Sequence, residues 1–73
     1  MERGRISRLV QGRGFGFVLS DGGQREHFFH ASGVVDVDFD ELREGLAVSY
    51  DIAMLHGKNG PAREQATNLR VLN

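Results

Sequence analysis

Residues 13–30 read RGFGFVLSDGGQREHFFH and hold four of the chain's five phenylalanines. Two runs of aromatic and β-branched residues flank SDGGQ, a stretch of turn formers. This pattern specifies a β-hairpin, because Asp and Gly supply the backbone conformations that a tight reversal needs. It also sets the parity of each side chain, since successive residues of a strand point to opposite faces. Phe15, Phe17 and Leu19 fall on one face of the first run, with Gly16 and Val18 on the other. In the second run Phe28 and His30 share a face, and His27, Phe29 and Ala31 share the opposite one.

Other strands follow from the rest of the sequence. Ahead of the hairpin, GRISRLVQG mixes β-branched, leucine and polar residues and ends in glycine. After it, GLAVSYDIAML alternates Leu46, Val48, Tyr50 and Ile52 against Ala47, Ser49, Asp51 and Ala53, a clear strand pattern. HGKNGP reads as a loop, and EQATNLRVLN as a last strand with Leu69, Val71 and Thr67 on one face. Between the third and fourth strands, DFDE has the spacing of a capping box, with Asp38 at the cap, Glu41 three residues on and Gly45 as a stop. One or two helical turns fit there and need tertiary support. Five short strands in 73 residues cannot fill two sheets. They can close into one barrel, so the expected class is all-β: a five-stranded antiparallel Greek-key barrel of the OB type, with a short helical turn between strands three and four, spanning residues 1–73 as a single domain. Glycines 12, 14 and 16 give a coiled strand places to bend.

Composition removes several function classes. A chain of this size buries only about 60% of its unfolded surface, so the core is thin. With no cysteine there are no disulfides, zinc knuckles or thiol nucleophiles. MERGRISRLV is too charged for a signal peptide, and no apolar run approaches spanning length, so the expectation is a cytoplasmic protein that does not enter the membrane. The net charge of −1 argues against nucleic acid, but its distribution does not. Residues 1–13 carry Arg3, Arg5, Arg8 and Arg13 against Glu2, whereas residues 36–51 carry six carboxylates against Arg43. A domain polarised in this way can have a basic binding face and an acidic back.

The hairpin makes its two strands neighbours, so Phe15, Phe17, Phe28 and His30 form one aromatic patch, while Val18 and Phe29 point into the barrel. Exposed rings bordered by arginine are a stacking platform for unpaired bases, worth roughly 1–3 kcal/mol per base and tolerant of base identity. Arginine adds phosphate contacts and cation–π attraction. Glycines flanking Phe15 leave its ring uncrowded.

RGFGFV followed by HFFHAS resembles the paired ribonucleoprotein motifs of the bacterial cold-shock proteins and the wider cold-shock domain. The resemblance runs on through FDELREG, GLAVSYDI, NGP and ATNL, so it spans nearly the whole chain. It implies an OB-type barrel that binds single-stranded RNA or DNA, as a monomer and without a cofactor, and acts as an RNA chaperone. By position it assigns base stacking to Phe15, Phe17, Phe28, His30 and Phe39, and basic contacts to Arg13 and Lys58. Two departures shrink the stacking surface: Arg8 stands where the family presents tryptophan, and Ala31 where it often has phenylalanine. Weaker binding or a shorter footprint is expected, with Arg8 exchanging a stack for a phosphate or guanidinium contact. The loop from Pro61 to Asn68 is longer than usual for the family.

Competing readings are weaker. GRGFGF contains spaced glycines, but a phosphate-binding loop must open a helix, and FVLSDGG is strand then turn. His27 and His30 lie on opposite faces of a strand and cannot share a metal, and Asp36, Asp38 and Asp40 lack EF-hand spacing. No nucleophile–base set or carboxylate pair supports an enzyme. Phe39 has two readings, an anchor for the acidic turn or a mobile ring that closes over a base. The principal alternative function is a protein-interaction barrel using the phenylalanine patch.

Overall fold

The computed structural model describes residues 1–56 and 62–72. Its strands are β1 (Glu2–Val10), β2 (Phe15–Ser20), β3 (Glu26–His30), β4 (Ala47–His56) and β5 (Ala62–Val71). They form one antiparallel sheet in the order β3-β2-β1-β4-β5. β4 pairs with the free side of β1 after the β1–β2–β3 meander, which is Greek-key connectivity. Short 3₁₀ turns at Gln11–Arg13, Ala31–Gly33 and Phe39–Glu41 link the strands. Among the described residues no helix is long and apolar enough to cross a membrane.

The two end strands, β3 and β5, close the barrel without a continuous ladder. Just after β3, Val34 forms a parallel bridge to Leu69, and the Val35 N–H donates to the Leu69 carbonyl at 2.9 Å. Earlier along the seam, Arg25 and His27 reach Glu64 on β5. Every strand contributes to the interior: Ile6 from β1, Val18 from β2, Phe29 from β3, Val48 and Tyr50 from β4, and Ala66 and Leu69 from β5. Each large apolar side chain so buried contributes about 1.5–3 kcal/mol. Tyr50 is 1% exposed, and burial, aided by the Glu2 and Asp21 carboxylates, raises its phenol pKa.

Two β-bulges break simple alternation, and both move side chains between faces. On β1, Ile6 pairs with Val18 but Arg8 pairs with Phe17, so Ser7 is an extra residue. Strict period-2 counting would put Arg8 inside with Ile6; the bulge turns it outward. The Ser7 hydroxyl bridges the irregularity, its one proton lying between two acceptors, Glu26 Oε2 at 2.8 Å and the Phe17 carbonyl at 3.2 Å. On β5, Ser49 pairs with Arg70 and Asp51 with Thr67, which leaves Asn68 at φ +50° as the bulge. Ala66 and Leu69 are therefore the buried pair, three residues apart. This corrects the expectation that Thr67 shares the face of Leu69. The stretch from residue 62 is also strand rather than extended loop.

The acidic connection behaves partly as expected. Asp38 precedes the 3₁₀ turn Phe39–Glu41, and its N–H points to Glu41 Oε1 at 3.5 Å. The helical conformation stops at Leu42, which is extended and buried. Gly45 therefore does not end the turn; it leads into β4, with its N–H donating to the Ile6 carbonyl at 2.7 Å.

Candidate nucleic-acid interface

The β2–β3 register builds the site. Phe15 lies opposite His30 and Phe17 opposite Phe28, while between them Gly16 faces Phe29 and Val18 faces His27. Directly paired residues share a face, so the first set forms one outer surface and the second lines the interior. The rings of Phe15 and Phe28 are 5.4 Å apart and tilted by 34°. Phe17 stands nearly perpendicular to both, at 6.2 Å from Phe15 and 6.0 Å from Phe28. These are favourable aromatic separations, so the three half-exposed rings hold one another in place.

Gly16 sits on the inner side of this layer. A Cβ there would lie 2.6 Å from the Arg8 carbonyl oxygen and 2.9 Å from the Phe29 ring. Its role is to let β1 and the core ring approach β2, rather than to uncover Phe15. Gly14 adopts φ +69°, a left-handed conformation that ends the 3₁₀ turn and starts β2. That turn carries the exposed Arg13 at its last position, next to the start of the aromatic strip.

Arg8 completes a row across three strands. It pairs with Phe17, which pairs with Phe28, so a cation and two rings share the outer face. His30 is exposed at the end of the strip beside Phe15. Its Nδ1 accepts from the Ser32 N–H at 3.0 Å and lies 2.9 Å from the Ser32 hydroxyl. When neutral, the ring consequently carries its proton on Nε2, which has no partner among the described residues.

Two expected residues fall elsewhere. Phe39 is only 9% exposed, and its ring packs 6.1 Å from Phe29. It belongs to the core, on the opposite side of the β2–β3 layer from the strip, because the 3₁₀ turn must bury an apolar anchor to hold an acidic segment against the barrel. In this placement the ring anchors the acidic turn, one of its two readings, and does not lie on the outer strip. Lys58 lies outside the described residues. The structure also adds residues: Arg63, Glu64 and Gln65 of β5 line a groove with Phe17 and Phe28. Alternation along β5 was visible in the sequence, but only barrel closure brings that strand beside β3. Among the described residues, no group of three or more His, Asp or Glu side chains is placed to hold a metal ion.

Comparison with known proteins points the same way as this geometry. The sequence model of the 'Cold-shock' DNA-binding domain family matches residues 2–72. The chain is 37% identical over 67 residues to cold shock protein ScoF of Streptomyces coelicolor, covering 92% of this chain and 97% of that protein. It is also 37% identical over 71 residues to cold shock protein CspA of Rhizobium meliloti, covering 97% and 99%. The cold shock-like protein CspA of Vibrio cholerae is 35% identical over 66 residues, covering 90% and 91%.

Proposed function

Because this chain belongs to the cold-shock domain family, which generally binds nucleic acid, we propose that it binds single-stranded RNA or DNA by stacking unpaired bases on Phe15, Phe17, Phe28 and His30. The observation that carries this reading is the outer row of Arg8, Phe17 and Phe28, in register across three strands. Stacking needs a flat apolar face held rigid beside a cation, and the mutual packing of the rings supplies that rigidity. Arg8 and Arg13 neutralise phosphate, each releasing counterions from the strand. Duplexes bind poorly, because their base faces are already covered. Weak, sequence-tolerant capture of open strands shifts hairpins toward unpaired forms, which is the action of an RNA chaperone, performed here by a cytoplasmic monomer without a cofactor.

The test is fluorescence anisotropy with an end-labelled oligothymidine of about seven nucleotides, within the ~4–16 range for one OB fold. A matched duplex serves as the control. The single strand binds preferentially, and Phe17→Ala lowers its affinity by roughly 1–3 kcal/mol. Equal affinity for duplex and single strand, or an unchanged affinity in the folded variant, counts against stacking. The latter result together with capture of a protein ligand favours a protein-interaction role for the patch.

A further inference from the structure

Glu64 occupies the seam where β5 meets β3. Its Oε1 accepts from His27 Nε2 at 2.9 Å and also pairs with Arg25. His27 is 7% exposed, and its Nδ1 has no hydrogen-bond partner among the described residues. The bond to Glu64 is therefore the ring's one hydrogen bond among the described residues. On the other side of the bond, His27 holds the Glu64 carboxyl below the usual carboxylate range, against some desolvation and reinforced by the charge of Arg25.

Strand geometry links this seam to the aromatic strip. Glu64 turns toward His27, so its neighbours Arg63 and Gln65 project to the other face of β5. These three residues line one groove with Phe17 and Phe28. The groove thus has aromatic rings on the β2–β3 side and a guanidinium and an amide on the β5 side. An amide offers both a donor and an acceptor to a base edge, and a guanidinium offers a planar fork to phosphate. A free carboxylate at this place would repel phosphate; this one is occupied by two donors, Arg25 just before β3 and His27 within it.

We propose that Glu64 is a positioning residue for nucleic-acid binding: by bonding His27 and Arg25 across the β3–β5 seam, it holds Arg63 and Gln65 against Phe17 and Phe28 to form a slot for one unpaired nucleotide. The proposal rests on the single-strand reading above. It assigns Glu64 no contact with the ligand. The slot extends the strip sideways, toward β5, and is a place where the chain regains contact area lost with the tryptophan replaced by Arg8.

The experiment measures affinity for labelled oligothymidines of about four and about seven nucleotides with wild type, Phe17→Ala, Glu64→Ala, Glu64→Gln and the double variant Arg63→Ala/Gln65→Ala. Circular dichroism melts establish folding. Glu64→Ala and the Arg63→Ala/Gln65→Ala pair each weaken binding of the longer strand by about five-fold, the scale of one lost hydrogen bond. Combined, they weaken it little further, because both remove one slot. Glu64→Gln keeps near-wild-type affinity, since its carbonyl still accepts from His27. Should Glu64→Ala not fold, His27→Val with Glu64→Val, which leaves no polar group of this pair unpaired, takes its place with the same expected loss.

Tighter binding by both Glu64→Ala and Glu64→Gln overturns the proposal, because the carboxylate would then act only by repulsion. Full additivity of the combined variant overturns it as well. Sensitivity to Phe17→Ala with unchanged affinity in folded Glu64→Ala overturns this proposal alone. Absence of any binding by wild type overturns the single-strand reading together with it.

Discussion

Phe28 and Phe29 are neighbours in sequence and the same residue type, yet they belong to different regions of the molecule. Phe28 lies half-exposed on the outer face, against Phe15 and Phe17. Phe29 is fully buried, against the anchor ring of Phe39. One strand thus carries the proposed binding surface and a core wall back to back, separated only by its own backbone. The comparison teaches that aromatic content alone says nothing about role. Parity distributes the rings between the two faces, and the bulge on β1 adds Arg8 to the outer one.

The sharpest way to break this contrast is to truncate both rings in turn. Phe29→Ala should cost about 3–5 kcal/mol of stability, because it removes transfer energy and leaves a cavity beneath Gly16. For a thin core that is a large share of the total, and a urea or thermal melt reads it directly. Phe28→Ala should leave the melt far closer to wild type while binding weakens by roughly 1–3 kcal/mol. If the two variants behave alike in both measurements, the division between faces is wrong.

A smaller effect belongs to Arg8, the charged member of the outer row. Arg8→Ala should flatten the dependence of log affinity on log salt by about 0.7, the value for one phosphate contact on a single strand. A slope unchanged from wild type would mean that Arg8 acts through packing or stacking instead. Phe28→Ala should leave the slope unaltered, which separates ring from cation on the same face.

The smallest effect concerns pH and the inner side of the seam. The Glu64 pKa is lowered in the folded state, by the His27 hydrogen bond first and with help from Arg25. Its stabilising contribution is therefore complete above the ordinary carboxylate pKa and fades as pH falls through the lowered folded value. Melting temperatures taken from neutral to acid pH should drop less steeply in Glu64→Gln than in wild type. Parallel profiles would remove Glu64 from the acid response.

Much of the proposed recognition face could be read from residues 13–30 because a hairpin is local. The turn residues and the period of two place Phe15, Phe17, Phe28 and His30 together without knowledge of any other strand. The inward pair of Val18 and Phe29 follows from the same rule. Thr67 failed the same rule because Asn68 adopts a left-handed conformation and resets the register of β5. Phe39 was undecided for another reason: in a short irregular segment no periodicity tells a ring which way to turn. Its packing against Phe29 appears only in the folded barrel. Arg63 and Gln65 were missed because nothing in a linear sequence states which edge β5 will meet.

The sequence by itself determined the strand count, the all-β class, the hairpin and the parity of its rings, because turn chemistry and side-chain alternation act over a few residues. Tertiary structure decided what lies across the barrel. It turned Arg8 outward through the bulge at Ser7, buried Phe39 as an anchor, and joined His27 to Glu64 across a separation that only closure can span. The physical reason is the range of the interactions. Backbone geometry acts between neighbours, whereas burial and seam hydrogen bonds act between residues that meet only once the sheet has curled and closed.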